Sequence, residues 1–263
     1  MKFCFEIQRI PNGKKAALIV FVYLFICSIT AIGQTSPKDT LRVLFVGNSY
    51  TYVGNMPQIV SILASSRNIP LAARKSVEGG MSLKDHWLGH RGLMTKTSIA
   101  EGHFDFVVLQ DQSQAPIEFP DTTLKYAQLF CDYIREFGAS PVFYETWARE
   151  RIPQQQETLH AIYLRAAQEN SAKLVPVGKA WELARKLRPE IELFGPDGSH
   201  PANLGVYLTS CMFFTFLTDE NPENLISDIY TTDKEGEMLY LLWVDKEDAV
   251  FLQKVAVDLL DNE

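Results

Sequence analysis

The sequence predicts an α/β protein with a three-layer α/β/α sandwich built around a five-stranded parallel sheet. Short, continuous apolar runs are typical of strands that are buried on both faces of a sheet. Amphipathic helical segments alternate with these runs along the chain, which is the order expected of a parallel sheet. The chain has 263 residues, of which 46% are hydrophobic and 22% charged, so it has the composition of a globular protein.

Five segments carry the strand signal. They are Leu41–Gly47, Leu71–Val77, Phe104–Gln110, Pro141–Tyr144 and Leu174–Val177. The second segment is the weakest, because apolar and polar residues alternate in only part of it. The connections between segments are short, which indicates one domain without an internal linker.

Helical spacing of apolar residues separates these strands. It predicts helices over Pro57–Ser65, Leu124–Phe137 and Gln154–Ala172. From about Asp233 onward an apolar stripe at helical spacing predicts a C-terminal helical extension that packs on the outside of the sandwich.

The first 33 residues have the pattern of a signal peptide. Lys14 and Lys15 precede the apolar run Ala16–Ile32, and small residues precede a cleavage site near Gly33/Gln34. The alternative is a retained membrane anchor, because the run is close to the shortest length that spans a bilayer. Both interpretations predict an exported protein, periplasmic or secreted, whose domain covers residues 34–263.

The charge of the chain excludes some partners. The formal net charge is −7, and the first 33 residues are basic, so the remainder is more acidic still. An acidic body without a basic run argues against nucleic acid and against anionic membranes as partners once the leader is removed. The sequence does not indicate an oligomeric state.

Two cysteines remain after removal of the leader. Cys131 and Cys211 each lie in an apolar, helical stretch. Exported proteins can form disulfides, so the sequence leaves open two buried thiols or one bridge.

Candidate chemistry follows the first strand and ends the α/β region. Ser49 lies at a strand-to-helix turn, where its hydroxyl is exposed and its N–H is free to stabilise an oxyanion. Asp197 precedes His200 by three residues in a loop rich in glycine and proline. This spacing can place the carboxylate on one imidazole nitrogen and leave the other for a nucleophile. Taken singly, each feature is also typical of a helix cap or a turn.

Hydrogen-bond donors follow the second and third strands. Gly79 and Gly80 let the backbone approach a ligand and present N–H groups, and Gln112 and Gln114 carry amides. In parallel sheets, ligands bind at the carboxyl ends of the strands. We therefore expect all these groups to meet at one edge.

Together these blocks resemble the SGNH hydrolases, also called GDSL-like lipases and acylhydrolases. The matching blocks are VLFVGNSYT (43–51), SVEGGMSL (76–83) and DGSHP (197–201). The resemblance is closest to exported bacterial members with a GNS-type first block. It implies a flavodoxin-like SGNH hydrolase fold, with Ser49 as nucleophile, His200 as base and Asp197 as its partner. It also implies that no cofactor and no metal is needed.

The resemblance further implies an oxyanion hole, and here the sequence departs from the family. Backbone N–H groups of Ser49 and of Gly79 or Gly80 match the family pattern. A further block of the family, here called the third block, follows the third strand and normally supplies an asparagine. In this chain the corresponding segment is VVLQDQSQ (107–114), which contains no asparagine. Counting along the strand places Gln114 at the position of the family's asparagine. Gln112 is an alternative, because side chains two residues apart on an extended segment point to the same side.

Three other residues are candidates for contact with the substrate. His86 follows the second block, Trp147 follows the fourth strand and Tyr50 follows the nucleophile, so each is a candidate for substrate contact. The alternative for both aromatic residues is packing in the core. His86 and His90 share a predicted helical face, but with one neighbouring carboxylate they do not predict a metal site.

These features predict a serine esterase that hydrolyses acyl esters, with acetyl esters of carbohydrates as the first choice. The expected partner is a small-molecule or glycan ester. Two alternatives remain, namely a lipid-directed acylhydrolase or lysophospholipase, and a non-catalytic glycan-binding module of the same fold.

Overall fold

A five-stranded parallel sheet forms the centre of the computed structural model, which describes residues 40–260. Its strands stand in the spatial order β2-β1-β3-β4-β5. Their bounds are β1 Leu41–Gly47, β2 Leu71–Val77, β3 Phe106–Leu109, β4 Ser140–Tyr144 and β5 Lys173–Val175. The predicted α/β fold class is confirmed.

The central strand β1 shows why the apolar runs are continuous. Val43 and Phe45 pack into the hydrophobic core on one face of the sheet, and Leu44 and Val46 pack into a separate core on the other. Because successive side chains of a strand point to opposite faces, both parities must be apolar when helices cover both faces.

Helices cover the two faces in separate groups. The helices on the first core are Met56–Ser66, Val177–Leu187, Asn203–Thr218 and Lys246–Leu260. The helices on the second core are Leu83–Leu88, Thr95–Gly102, Pro120–Glu136 and Gln156–Glu169. Two one-turn helices, Ser49–Tyr52 and Ala115–Glu118, follow β1 and β3 at the carboxyl edge of the sheet.

The weak strand signal of Leu71–Val77 has a physical cause. β2 is an edge strand that pairs only with β1 among the described strands, and most of its side chains are partly or fully exposed. An edge strand has less need of apolar residues on both faces. The fifth strand is shorter than predicted, because a helix begins at Val177.

The prediction of a helix from about Asp233 is wrong for the first part of that segment. Residues Met238–Trp243 form a strand, β7, that pairs antiparallel with Asp228–Thr232, β6. The side chain of Asp233 accepts hydrogen bonds from the backbone of Glu235 and Glu237, which closes the hairpin turn. Pairing with β6 outweighs the helical spacing, and the helix begins only at Lys246.

Two other sequence-based predictions concern the leader and the cysteines. The predicted leader, residues 1–33, lies outside the described residues. Within residues 40–260, no helix is long and apolar enough to span a membrane. Cys131 and Cys211 are both buried and free, and they lie in the separate cores on opposite faces of the sheet.

Candidate active site

The turn after β1 places Ser49 at the carboxyl edge of the sheet. Asn48 has extended backbone geometry, and its side-chain oxygen accepts a hydrogen bond from Tyr50 N at 3.1 Å, so it caps the helix that Ser49 begins. The amide of Asn48 donates to Met81 O at 2.9 Å. The cap therefore leaves Ser49 as the first helical residue, where backbone N–H groups lack intrahelical partners.

A glutamine at the end of β3 supports this turn from below. Gln110 is fully buried, and its side-chain oxygen accepts from Asn48 N and from Thr51 Oγ1, both at 2.9 Å. A Cβ at Gly47 would lie 2.3 Å from that oxygen. Gly47 is required because any side chain there would displace Gln110.

His86 supports the same turn and does not line the cleft. It is 1% exposed, its Nε2 lies 2.9 Å from Gly47 O, and its Nδ1 lies 2.7 Å from Thr95 Oγ1. A carbonyl can only accept, so these partners assign the proton to Nε2. Burial lowers the pKa of His86, which favours this neutral form. The prediction that His86 contacts substrate is therefore wrong, because both ring nitrogens are used inside the protein.

Ser49, His200 and Asp197 form a hydrogen-bonded chain. Ser49 Oγ lies 2.8 Å from His200 Nε2, and His200 Nδ1 lies 2.5 Å from Asp197 Oδ2. The other oxygen of Asp197 accepts from the backbone N–H groups of Ser199 and His200 at 3.0 and 2.9 Å. These hydrogen bonds, first of all the one from the His200 side chain, lower the pKa of Asp197 to about 2. The carboxylate is thus charged, and it fixes the ring so that Nε2 faces the serine.

Tyr50 and Trp147 hold the loop that carries His200. Tyr50 Oη lies 2.6 Å from Ser199 Oγ, and Trp147 Nε1 donates to Ser199 O at 2.9 Å. The two rings are stacked with centroids 4.7 Å apart, and Trp181 stacks on the other side of Trp147 at 3.7 Å. Both side chains are almost completely buried. Of the two sequence interpretations, packing is correct and substrate contact is wrong for both residues.

The paired glycines form a turn that presents N–H groups. Met81 N donates to Glu78 O at 3.3 Å, and Gly80 occupies the left-handed region at φ +71°. In residues 40–260, the N–H groups of Gly79 and Gly80 donate to no protein acceptor. Bonds from Glu78 N to Gly47 O and from the Asn48 amide to Met81 O tie the turn to the nucleophile segment.

The third block, residues 107–114, leaves the strand and ends in a turn. β3 ends at Leu109, and residues 113–114 form a turn, so the parity count that paired Gln112 with Gln114 does not apply there. Gln112 Oε1 accepts from the backbone of Gln114 and Ala115 at 2.7 and 3.0 Å. These two bonds fix the carbonyl end of the side chain, and its amide nitrogen lies 3.4 Å from Ser113 Oγ. The amide of Gln114 instead donates to Ser113 O at 3.3 Å and is largely buried.

A buried carboxylate anchors this block. Asp111 accepts from the backbone of Leu83 and Gln112 at 2.9 and 2.8 Å, and from Thr123 Oγ1 at 2.7 Å. Burial raises the pKa of Asp111, and these three hydrogen bonds oppose that shift. Asp111 therefore connects the second and third blocks, a role that the sequence did not indicate.

Arg149 is a charged residue near the site that the sequence did not indicate. Its guanidinium Nη2 lies 3.4 Å from Ser113 Oγ, and the next residue, Glu150, donates from its backbone to Gly198 O at 2.9 Å. The available signal was its place in the loop after the fourth strand, two residues after Trp147. Within the described range, no group of three or more His, Cys, Asp or Glu side chains is arranged to hold a metal ion.

Comparison of whole structures decides the fold family. No family model matches the chain, and no curated protein matches its sequence. A DUF4886 family protein from Bacteroides uniformis aligns over 84% of this chain and 95% of its own, with a TM-score of 0.68 and 20% identity. A candidate SGNH hydrolase from Slackia heliotrinireducens aligns over 67% of this chain and 98% of its own, with a TM-score of 0.58 and 24% identity. The chain has the SGNH hydrolase fold.

An acetyl xylan esterase has the same SGNH hydrolase fold. It aligns over 67% of this chain and 99% of its own, with a TM-score of 0.55 and 15% identity. The fold expected from the sequence blocks is therefore confirmed. At these identities the likeness concerns the fold, and the chemistry has to be argued from the side chains of this chain.

Proposed function

We propose that this protein is a serine esterase that removes acetyl groups from carbohydrate esters. The observation that carries the proposal is the chain of hydrogen bonds from Ser49 through His200 to Asp197. A binding module has no need of a serine hydroxyl held on a carboxylate-oriented imidazole. The likeness to an acetyl xylan esterase fold supports the choice of acyl group and alcohol. The predicted leader fits an exported enzyme that meets glycans outside the cell.

The geometry supports a two-step acyl transfer. His200 Nε2 accepts the proton of Ser49 Oγ as this oxygen attacks the ester carbonyl, and Asp197 stabilises the imidazolium that forms. The tetrahedral intermediate collapses when His200 returns the proton to the leaving alcohol, which leaves an acetyl group on Ser49. Water, deprotonated by the same imidazole, then releases acetate and restores the serine.

Three kinds of donor are available for the oxyanion of this intermediate. The N–H of Ser49 lies at the start of a helix, the Gly79–Gly80 turn presents N–H groups that have no protein acceptor in the described residues, and Gln112 carries an oriented amide. We assign the side-chain donor to Gln112, because two backbone N–H groups fix its carbonyl end and its side chain is less buried than that of Gln114. The Gln112 amide has a long contact of 3.4 Å with Ser113 Oγ. Gln114 uses its own amide on Ser113 O.

Replacing Gln112 by alanine should lower kcat by about 10²-fold and leave KM nearly unchanged. The donor acts on charge that develops in the transition state, so its loss affects the reaction step more than ground-state binding. Steady-state kinetics with p-nitrophenyl acetate would measure both constants. Gln114→Ala is the matched control and should slow kcat only a few-fold. If Gln114→Ala were the more damaging variant, the sequence-based choice of Gln114 would be right and our assignment wrong.

The function itself is tested by a substrate panel. We expect hydrolysis of p-nitrophenyl acetate, release of acetate from acetylated polysaccharide, and no dependence on EDTA. Faster hydrolysis of medium-chain esters than of acetyl esters would replace the carbohydrate esterase by the lipid-directed alternative. Binding to glycans without hydrolysis of any ester would support the non-catalytic module.

A further inference from the structure

Arg149 is held between two segments of the candidate site. Its guanidinium contacts Ser113, which lies between Gln112 and Gln114 in the third block. The backbone bond from Glu150 N to Gly198 O at 2.9 Å attaches the same loop to the segment that carries Asp197 and His200. Arg149 thus lies where the oxyanion side and the base side of the site approach each other.

The guanidinium of Arg149 is available for a ligand. Arg149 is an exposed residue, and among residues 40–260 no carboxylate lies within ion-pair distance of it. Within residues 40–260, its polar partner is the neutral hydroxyl of Ser113 at 3.4 Å, a long contact that leaves most of the guanidinium donors unused. The planar guanidinium offers two parallel N–H groups, which match the two oxygens of a carboxylate.

Resting on the esterase function proposed above, we infer that Arg149 binds a carboxylate on the alcohol part of the substrate. The acyl group we propose is only an acetyl group, so an anionic group must belong to the sugar. The substrate class is then an O-acetylated acidic sugar, either a uronate within a polysaccharide or a sialoside. A phosphate is a weaker candidate, because a dianion generally gathers several cationic donors and Arg149 is the one described arginine that contacts the third block.

The test measures binding separately from turnover. The Ser49→Ala protein would be titrated by calorimetry with four ligands: an acetylated oligogalacturonide, an acetylated sialoside, a neutral acetylated xylo-oligosaccharide and a phosphorylated sugar. We expect one of the two acidic ligands to bind at least about tenfold more tightly than the neutral one, with the preference reduced by added salt. Adding Arg149→Ala should abolish that preference. Arg151→Ala removes an exposed arginine of the same loop and should retain it.

The outcomes are distinct. Equal affinity for acidic and neutral ligands, or a preference that survives Arg149→Ala, would overturn the inference even if the wild type hydrolyses acetyl esters. Preference for a phosphorylated sugar over both carboxylates would also overturn it. An Arg149-dependent preference in a protein that hydrolyses no ester would support the inference and refute the proposed function. Which acidic ligand binds identifies the source of the carboxylate.

Discussion

Replacing Ser49 by alanine should reduce esterase activity by at least about 10³-fold without changing the fold. Ser49 Oγ lies 2.8 Å from His200 Nε2. Without this oxygen no covalent acyl-enzyme intermediate can form. What remains is the contribution of binding and of the oxyanion donors. The helix that begins at Ser49 should persist, because its cap is the side chain of Asn48. Activity on p-nitrophenyl acetate, with circular dichroism as the check on folding, measures this effect.

A covalent probe tests the identity of the nucleophile without the need to know the substrate. A fluorophosphonate should label the wild type and a Ser65→Ala control, in which an exposed serine of the helix Met56–Ser66 is removed. The Ser49→Ala variant should not be labelled. If the Ser49→Ala variant were labelled as strongly as the wild type, the nucleophile would be another serine and the proposed mechanism would be wrong.

The sheet and the hydrogen-bonded chain were accessible from the sequence for a simple reason. Strands buried on both faces leave continuous apolar runs, and the carboxyl ends of parallel strands are the points at which side chains from distant segments meet. Ser49 and His200 are 151 residues apart, yet both are found by asking which polar residues follow such runs or close the α/β region. The glycine-rich context of each block then limits the possible roles.

The roles of His86, Tyr50 and Trp147 were not accessible in the same way. Each follows a strand at the correct edge, so the sequence placed it near the site. Whether the side chain faces the cleft or lies beneath it depends on what packs over it, here Thr95 for His86 and Ser199 for the two aromatic residues. These contacts come from other parts of the chain, and a single sequence does not show them.

Local pattern also failed where tertiary pairing decided the structure. The apolar residues of Met238–Trp243 satisfy a helical spacing, but the segment pairs with Asp228–Thr232 and buries Leu242 against the core. In the third block, counting along an extended chain failed because the strand ends at Leu109. In both cases the periodicity was real, and the backbone conformation assumed for it was wrong.

The second large effect is expected at His200. Replacing His200 by alanine should lower kcat/KM by at least about 10³-fold, because the serine loses the group that accepts its proton. His86→Ala is the informative comparison, since both residues are histidines at the same sheet edge. His86 is buried and hydrogen-bonded to Gly47 O and Thr95, so its loss should lower the free energy of unfolding by about 2 kcal/mol or more. The protein that remains folded should keep a kcat/KM within about tenfold of the wild-type value. Thermal unfolding and kinetics of both variants separate the two roles.

The charge of Asp197 and chemical rescue complete the argument for His200 as the base. The pKa of Asp197 is lowered to about 2, from an ordinary value of 3.8, so its carboxylate is charged above the ordinary value and is neutralised only as the pH falls toward 2. A loss of wild-type activity at mildly acidic pH therefore cannot come from protonation of Asp197. Added imidazole should restore part of the activity of His200→Ala, because a small base can occupy the space of the missing ring, but it should not improve Ser49→Ala. If imidazole rescued neither variant and His86→Ala proved as inactive as His200→Ala at full folding, the base would not be His200.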